Sequence, residues 1–297
     1  MKHTCKEYVL ATRPWSFPAS AMPVIVTLAC MYATTESINW LYGLWTLLTI
    51  IFVHAAGNAW SDYFDYKKGV DRADAYAVPT LVSGQFQPRE VMQLSLVLQT
   101  IALVSGLCMV AVTGLPLLWI GMAGIALSLL YPPLKYAALG DVVIYLCYAF
   151  LPMLGTSFIV TGTVHWEMLW LSVPVGLITI AILHANNTRD IESDGQTHIH
   201  TFAMLMGIRT SALLYCVEVL LPFVWLTILV LLGMYSWWTL LVWLVFPLAV
   251  KDARIMMGYK QSGTSAIAAL DQASAQLQLA FSLCLSLGFL LSKLINI

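Results

Sequence analysis

Nine long apolar runs constrain this chain more than any other feature of its sequence. The hydrocarbon core of a bilayer is about 30 Å thick, and a helix needs about 20 apolar residues to cross it. Hydrophobic residues make up 60% of the 297 residues and charged residues only 10%, which excludes an ordinary soluble domain. We predict membrane-spanning helices near residues 16–34, 41–60, 92–113, 115–133, 141–161, 168–186, 211–232, 236–250 and 275–294.

The basic residues predict how these spans are oriented. With a cytoplasmic N-terminus, thirteen of the fourteen Lys and Arg residues fall in cytoplasmic segments, and Lys293 alone falls on the other side. Those segments are 1–15, 61–91, 134–140, 187–210 and 251–274. No clean cleavage site follows the basic N-terminus, so we interpret the first run as a retained span with the C-terminus outside. The long polar segments 61–91 and 187–210 place the chemistry on the cytoplasmic face.

Two acidic stretches, residues 58–74 and 186–194, interrupt the apolar pattern. Together they contain seven of the fifteen acidic residues, and each begins where an apolar run ends. Side chains three or four positions apart share one face of a helix. This spacing relates two triplets of oxygen-bearing residues: Asn58, Asp62 and Asp65, and Asn186, Asp190 and Asp194. We therefore expect two sets of oxygen ligands to point into a common space.

The chemistry of these residues favours a magnesium site. Carboxylates gathered at one membrane boundary repel one another unless a positive group lies between them. Oxygen ligands without a His or Cys cluster favour Mg²⁺, which typically binds one or two carboxylates together with water and substrate phosphates. Basic residues among the acids then predict a diphosphate site: Lys67, Lys68, Arg72 and Arg189.

Other roles for the acidic stretches stay open at this point. The acids could be solvated helix ends, part of a non-catalytic scaffold, or the ion pathway of a transporter, where acids inside the spans are expected. Two motifs with matched spacing weigh against the first two roles. The acids lie at span ends, and Glu218 is the main acid inside a predicted span, which weighs against transport.

Five segments carry a resemblance to a known family: Arg13-Pro14 with Pro18-Ala19-Ser20, residues 58–71, Tyr131-Pro132-Pro133-Leu134-Lys135, Gly140-Asp141-Val142-Val143, and residues 186–194. The chain resembles the UbiA-type intramembrane aromatic prenyltransferases over essentially its whole length. Within that family it is most similar to the branch that prenylates 1,4-dihydroxy-2-naphthoate in menaquinone synthesis.

The resemblance implies a fold and a reaction. The fold is all-α, a bundle of nine transmembrane helices around a central cavity, formed by one domain over residues 1–297. The reaction is the Mg²⁺-dependent transfer of a polyprenyl group from polyprenyl diphosphate to 1,4-dihydroxy-2-naphthoate, with loss of CO₂. A related acceptor such as 4-hydroxybenzoate uses the same metal machinery and remains an alternative.

The resemblance also implies roles for individual residues. The ligands of two Mg²⁺ ions would be Asn58, Asp62, Asp65, Asp190 and Asp194, and Asp71 matches the last acid of the first motif. The phosphates would contact Lys67, Arg72 and Lys135, with Arg189 as a further substrate-binding residue. Tyr131 would lie beside the leaving group, although a residue of the interfacial aromatic belt would look the same. The candidate catalytic residues are thus Asp65, Asp71, Asp190 and Tyr131.

Arg13 is a candidate partner for the carboxylate of the acceptor, because arginine pairs with carboxylates in a bidentate way. An anchoring role at the cytoplasmic face would explain Arg13 equally well. The chain departs from the family at Ser61, where many members have Asn, and at His198, where a phosphate-binding Lys is common. The segment 76–80 also lacks the usual glycine-rich character.

These observations together predict the location and partners of the protein. We expect an integral protein of the bacterial inner membrane, whose partners are its two substrates and membrane lipid. The net charge of −1 provides no basic surface for nucleic acid, and we expect no obligate protein partner.

Overall fold

The computed structural model describes residues 3–69, 80–196 and 199–295. Within these ranges the chain is helical, apart from loops and one isolated bridge between Ala137 and His200. Short 3-10 helices cover Pro14–Ser16, Trp237–Val245 and Gly263–Ile267, and a π-helical turn covers Leu146–Phe150. The α-helices are α1 (Cys5–Ala11), α2 (Pro18–Thr34), α3 (Trp40–Lys68), α4 (Pro88–Thr113), α5 (Leu115–Lys135), α6 (Gly140–Tyr145), α7 (Leu151–Thr161), α8 (Met168–Arg189), α9 (Ile191–Asp194), α10 (Phe202–Leu231), α11 (Phe246–Met257), α12 (Tyr259–Ser262) and α13 (Leu270–Ile295).

Eight helical segments of the described chain are long and apolar enough to cross a membrane. They are Pro14–Thr34, Trp40–Lys68, Pro88–Thr113, Leu115–Lys135, Gly140–Thr161, Met168–Arg189, Phe202–Leu231 and Leu270–Ile295. Many large apolar side chains of these helices point outward, as in α4, where Val97, Val104 and Leu107 are exposed. An apolar outer surface of this kind suits lipid. The predicted all-α membrane fold is confirmed.

The predicted span at 236–250 is built differently from the others. It consists of a nine-residue 3-10 helix, Trp237–Val245, followed directly by the twelve-residue α11. A 3-10 helix rises about 2.0 Å per residue, which gives about 18 Å for the first part. An α-helix rises about 1.5 Å per residue, which adds about 18 Å for α11. Neither part is long enough to cross a bilayer alone, and this segment is not among the eight candidate spans of the described chain.

The core of the bundle lies where α13 packs against α2, α8 and the Trp237–Val245 helix, and where α8 packs against α10. Aromatic side chains from α10 and α13 fill it, with Tyr215, Phe223, Phe281 and Phe289 fully buried. Apolar side chains gain little by leaving lipid, so close packing has to hold the helices together. This interface therefore carries much of the stability of the bundle.

Two glycines allow helices of the core to approach closely. A Cβ atom on Gly288 of α13 would lie 2.5 Å from the backbone oxygen of Trp238. A Cβ atom on Gly176 of α8 would lie 2.5 Å from the Tyr145 ring. Small residues at such crossings are a common way to pack membrane helices. The contact at Gly288 fixes α13 against the 3-10 helix.

The N-terminal helix α1 lies across the end of α3 that carries the first acidic motif. Ala11 of α1 packs with Ala59 of α3 and with Leu81 in a small separate apolar cluster. The Tyr8 ring lies 5.3 Å from the Phe86 ring, measured between centroids. These contacts hold the connection between α1 and α2, residues 12–17, directly beside the acidic motif.

Candidate active site

The first acidic motif lies within the last turns of α3. The helix continues to Lys68, eight residues beyond the predicted end of the span at residue 60, and ends at Gly69, whose φ of 72° is left-handed. Asp62 and Asp65 are buried, with exposed fractions of 2% and 7%. The helical spacing places both carboxylates and Asn58 on one face of α3. This face points into the bundle.

Asp65 is held by two side chains at the end of α5 and by one from its own helix. Lys135 Nζ at the end of α5 donates to its two oxygens at 2.9 and 3.2 Å. The Tyr136 hydroxyl donates to Oδ1 at 2.7 Å, and Ser61 Oγ donates to Oδ2 at 3.1 Å. The Lys135 ammonium balances the charge of the buried carboxylate. Ser61, the position that departs from the family pattern, thus supports Asp65 through its hydroxyl.

The connection between α1 and α2 holds Asp62 and Asn58. Arg13 forms a salt bridge with Asp62, and its backbone is left-handed, with φ at 55°. Asn58 Nδ2 donates to the Thr12 carbonyl oxygen at 2.9 Å and to Ser16 Oγ at 3.0 Å. Because a carbonyl oxygen can only accept, these bonds fix the amide nitrogen toward the connection. The Asn58 oxygen therefore faces the other way and is available as a ligand.

The second acidic motif lies at the end of α8. Asp190 is the C-terminal capping residue of that helix, and α9 follows immediately and ends at Asp194. Arg189 donates to both carboxylate oxygens of Asp190 at 2.8 Å. The same guanidinium donates to the Ala268 carbonyl at 3.2 Å and lies 3.5 Å from Asp271 of α13. The arginine therefore fastens the second motif to the start of α13.

Asp194 shows that the two motifs share one electrostatic environment. Burial, together with the negative charges of Asp190 and Asp65, raises the pKa of its carboxyl to about 6, while Lys135 and Arg189 act in the opposite direction. Such mutual influence requires that Asp194 lie near Asp65 and Lys135. The structure thus brings acids of both motifs together around one lysine.

The remaining sequence-predicted residues differ in their placement. Lys67 is exposed at the end of α3, with Nζ 5.7 Å from the centroid of the Tyr63 ring. Tyr131 lies one turn before Lys135 on α5, which puts it on the side of the helix that faces Asp65. Asp71, Arg72 and His198 lie outside the described residues.

The donor atoms suit Mg²⁺, but the protein alone does not form a cage for it. In the described part of the chain, no three His, Cys, Asp or Glu side chains converge closely enough to hold one ion. Asp62, Asp65 and Asp190 are each paired with a protein cation instead. Mg²⁺ commonly binds through one or two carboxylates plus substrate phosphates. The oxygen ligands on the two motifs fit an ion that arrives together with a diphosphate.

A buried polar network behind the second motif explains Glu218. Its Oε1 atom lies 2.8 Å from His184 Nδ1, and Asp141 Oδ2 lies 3.8 Å from the same nitrogen. Glu218 is 4% exposed and His184 is 1% exposed. The acid inside the span thus has a structural partner, as buried charges in membranes require. This pairing accounts for Glu218 without an ion pathway.

Sequence reasoning missed several members of the site. Tyr136, Ser16, His54 and His184 all bond residues of the acidic motifs or their immediate neighbours. The two histidines gave a usable signal, because each is a polar residue in an apolar run less than two turns before an acidic motif. Ser16 and Tyr136 gave none, since their partners are 42 and 71 residues away in sequence.

Comparison with known proteins identifies the family. The model of the UbiA prenyltransferase family matches residues 21–292. The chain belongs to the UbiA prenyltransferase family. It is 36% identical over 234 residues to UbiA prenyltransferase domain-containing protein 1 of Xenopus tropicalis, an alignment that covers 77% of this chain and 68% of the relative. The predicted family and enzyme class are confirmed. The relative is an animal protein whose name specifies no acceptor.

Solved structures of archaeal UbiA homologues share this fold. The apo homologue from Aeropyrum pernix K1 superimposes with a TM-score of 0.65 at 16% identity, covering 92% of this chain and 96% of the homologue. The Archaeoglobus fulgidus homologue bound to DMAPP and Mg²⁺ gives a TM-score of 0.59 at 12% identity, covering 94% and 99%. These likenesses concern the fold of the UbiA bundle.

Proposed function

We propose that this UbiA-family protein transfers a polyprenyl group from polyprenyl diphosphate to 1,4-dihydroxy-2-naphthoate in a Mg²⁺-dependent reaction with loss of CO₂. The observation that carries the proposal is the meeting of the two acidic motifs around Lys135 at one end of an apolar bundle. A diphosphate needs cations, and a polyprenyl chain needs an apolar space. The cations around the motifs would meet the first need, and in this proposal the chain of the donor would lie among the apolar helices.

The proposed Mg²⁺ ligands are the oxygen donors of the two motifs, namely Asn58, Asp62, Asp65, Asp190 and Asp194. The Archaeoglobus homologue, whose fold this chain shares, is bound to DMAPP and Mg²⁺, which supports a Mg²⁺-dependent reaction with a prenyl diphosphate. Bound Mg²⁺ would supply charge stabilisation for the departing diphosphate. Of the buried acids, Asp62 can most easily exchange its protein cation for Mg²⁺, because its partner Arg13 is 40% exposed and can move away.

The proposed diphosphate contacts come from the cations around the motifs. Lys135 donates two hydrogens to Asp65 and has a third to donate, since an ammonium group has three. Arg189, Lys67 and Arg72 would add positive charge. As the C–O bond of the ester breaks, the diphosphate keeps the electron pair, and preorganised donors lower the cost of that charge. Asp71 and Tyr131 complete the proposed catalytic set.

The acceptor assignment depends on Arg13 and on the second motif. The run Asn186-Asn187-Thr188-Arg189-Asp190 resembles the naphthoate branch of the family. Arg13 would release Asp62 and bind the carboxylate of the naphthoate instead. This would direct the ring carbon that bears the carboxylate toward the prenyl group. The new C–C bond forms at this carbon, and the bond to the carboxyl carbon breaks with release of CO₂. The electron pair of the broken bond restores the aromatic ring, so no external base is needed.

The proposed location follows from the charge distribution. The acidic motifs and the basic residues lie in the segments that the positive-inside rule assigns to the cytoplasm. We propose that the active site opens to the cytoplasm, in a bacterial inner membrane, and that residues 1–297 act as one domain. Reconstituted vesicles with externally added water-soluble acceptor test the sidedness directly.

The proposed function is tested by prenyl transfer in detergent. Purified protein is incubated with labelled polyprenyl diphosphate and Mg²⁺, with 1,4-dihydroxy-2-naphthoate and 4-hydroxybenzoate as parallel acceptors. Product with the naphthoate supports the proposal. Product with 4-hydroxybenzoate alone would contradict the acceptor assignment and retain the metal chemistry.

A further inference from the structure

Two buried histidines each lie one helical turn before a polar side chain of an acidic motif. His54 lies four residues before Asn58 on α3, and His184 lies four residues before Thr188 on α8. Their exposed fractions are 5% and 1%. Residues four apart lie one above the other on a helix. Each histidine therefore lies one turn deeper in the bundle than a polar side chain of its motif.

The first histidine is linked to Asn58 through Ser16. Ser16 Oγ lies 3.2 Å from His54 Nε2 and accepts from Asn58 Nδ2 at 3.0 Å. The single hydroxyl hydrogen of Ser16 is given to the Arg13 carbonyl oxygen at 2.8 Å. Ser16 Oγ must therefore accept from the histidine, so Nε2 carries a hydrogen. The other ring nitrogen, Nδ1, lies 2.8 Å from Ser20 Oγ.

The second histidine is linked to Thr188 through Ser211 in the same way. His184 Nε2 lies 2.8 Å from Ser211 Oγ, which in turn lies 2.5 Å from Thr188 Oγ1. Thr188 gives its hydrogen to the His184 carbonyl oxygen at 2.8 Å, so it accepts from Ser211. Ser211 then accepts from His184 Nε2, which again carries a hydrogen. Nδ1 is bonded to Glu218.

We propose that these two histidine–serine clamps are positioning devices for the metal-binding ends of α3 and α8. In both clamps a serine from a neighbouring segment of the chain joins a histidine to the side chain one turn later, through Nε2 each time. The first clamp fixes the rotamer of Asn58, so that its oxygen faces the site. The second fixes the turn that ends at Asp190. His54 and His184 act through these neighbours and do not touch the substrate.

The clamps matter because ligands that are free to rotate bind a metal weakly. Residues that orient metal ligands typically contribute 10- to 100-fold to metal affinity. Without Ser16, Asn58 keeps its bond to the Thr12 carbonyl but loses the second contact that holds the amide plane. Without Ser211, Thr188 keeps its bond to the His184 carbonyl oxygen, but the hydroxyl that connects the Thr188 side chain to the His184 ring and to α10 is lost. We expect each loss to weaken metal binding by about 10-fold.

The test uses Mn²⁺ as a paramagnetic substitute for Mg²⁺, titrated into the purified full chain in detergent with an unreactive diphosphate analogue present. The variants are Ser16→Ala and Ser211→Ala, because His184→Ala would leave Glu218 buried without its partner and could prevent folding. The matched controls remove buried serine hydroxyls outside the clamps. Ser95→Ala removes a bond to the Ala56 carbonyl of α3, and Ser274→Ala removes a bond to Tyr215 of α10.

The clamp proposal rests on the proposed function, and the titration distinguishes the failure of one from the failure of the other. Weaker Mn²⁺ binding in both clamp variants, with wild-type affinity in both controls, supports the clamps. Equal affinity in all variants overturns them, as does a lower melting temperature of the clamp variants without any change in affinity. If the wild type itself fails to bind Mn²⁺ with the analogue, the metal-dependent function is wrong and the clamps fall with it.

A double-mutant comparison adds an independent readout for the first clamp. Because His54 acts on Asn58 through Ser16, His54→Gln added to Ser16→Ala should cost no further Mn²⁺ affinity. Additive losses would show that His54 acts by another route and would contradict the clamp.

Discussion

The Lys135 ammonium donates hydrogen bonds to both oxygens of Asp65, at 2.9 and 3.2 Å, and so joins the end of α5 to the first acidic motif. Both side chains are largely buried, with exposed fractions of 15% and 10%. A buried ion pair costs a large desolvation energy, and removing one partner leaves an uncompensated charge. The pair is therefore a sensitive point for stability and activity together.

Lys135→Met should abolish prenyl transfer and destabilise the protein by about 3 kcal/mol, because Asp65 would stay buried without its cation. Unfolding in detergent followed by tryptophan fluorescence measures the stability. The double variant Lys135→Met with Asp65→Asn should recover most of the stability and none of the activity. Recovery of activity in the double variant would contradict the role of Lys135 at the diphosphate.

Arg13→Gln should affect metal binding and catalysis in opposite directions. The Arg13 guanidinium forms a salt bridge with Asp62 in this structure and would compete with a metal for the carboxylate. Its removal should tighten Mn²⁺ binding severalfold, while transfer to the naphthoate falls at least 10-fold through KM for the acceptor. The stability should fall by up to about 3 kcal/mol, because Asp62 would stay buried without its cation. Unchanged acceptor KM would argue that Arg13 is only a membrane anchor.

The effect of Mg²⁺ on stability should depend on pH through Asp194. Because its pKa is raised to about 6 in the folded protein, the folded state keeps a proton that the unfolded chain has already lost. The stability of the metal-free protein therefore decreases as pH rises from the ordinary pKa of 3.8 to about 6. Mg²⁺ should raise the melting temperature more at about pH 7 than at about pH 5, because a proton competes with the metal at low pH. Asp194→Asn should remove most of this difference.

Gly288→Ala should destabilise the bundle, because the new methyl group would lie 2.5 Å from the Trp238 carbonyl oxygen, and backbone cannot move aside cheaply. Overpacking of this kind typically costs about 1–3 kcal/mol. Gly106→Ala on α4 is the matched control, since a methyl group there would meet no neighbouring atom of the described chain within 4 Å. Equal melting temperatures for the two variants would contradict the close crossing at Gly288.

Hydropathy was sufficient to predict the bundle but not the form of every helix. The rule counts apolar residues, so it located Leu270–Ile295 and Met168–Arg189 within a few residues. It could not distinguish an α-helix from the 3-10 helix Trp237–Val245, which has the same apolar composition. It also ended the second span at residue 60, because the polar residues of α3 after that point include Asp62 and Asp65, which are buried inside the bundle rather than solvated.

The candidate site was predictable where its residues are close in sequence. Asp62 and Asp65 share a helix face, which spacing alone predicts. The pairing of Asp65 with Lys135 and Tyr136, about 70 residues away, depends on how α3 and α5 pack, and no local pattern encodes it. His54 and His184 each lie in an apolar run just before an acidic motif, but their serine partners come from other parts of the chain, which no local pattern encodes.

The most direct test of the central claim is prenyl transfer by the wild type compared with Asp62→Asn, each with Mg²⁺ and with EDTA. Asn has nearly the shape of Asp and removes only the charge, so the fold should be retained, as a melting curve would check. We expect prenylated naphthoate and an equal amount of diphosphate only from the wild type with Mg²⁺. Equal product from Asp62→Asn, or from the wild type in EDTA, would contradict a metal-dependent site built on the two acidic motifs.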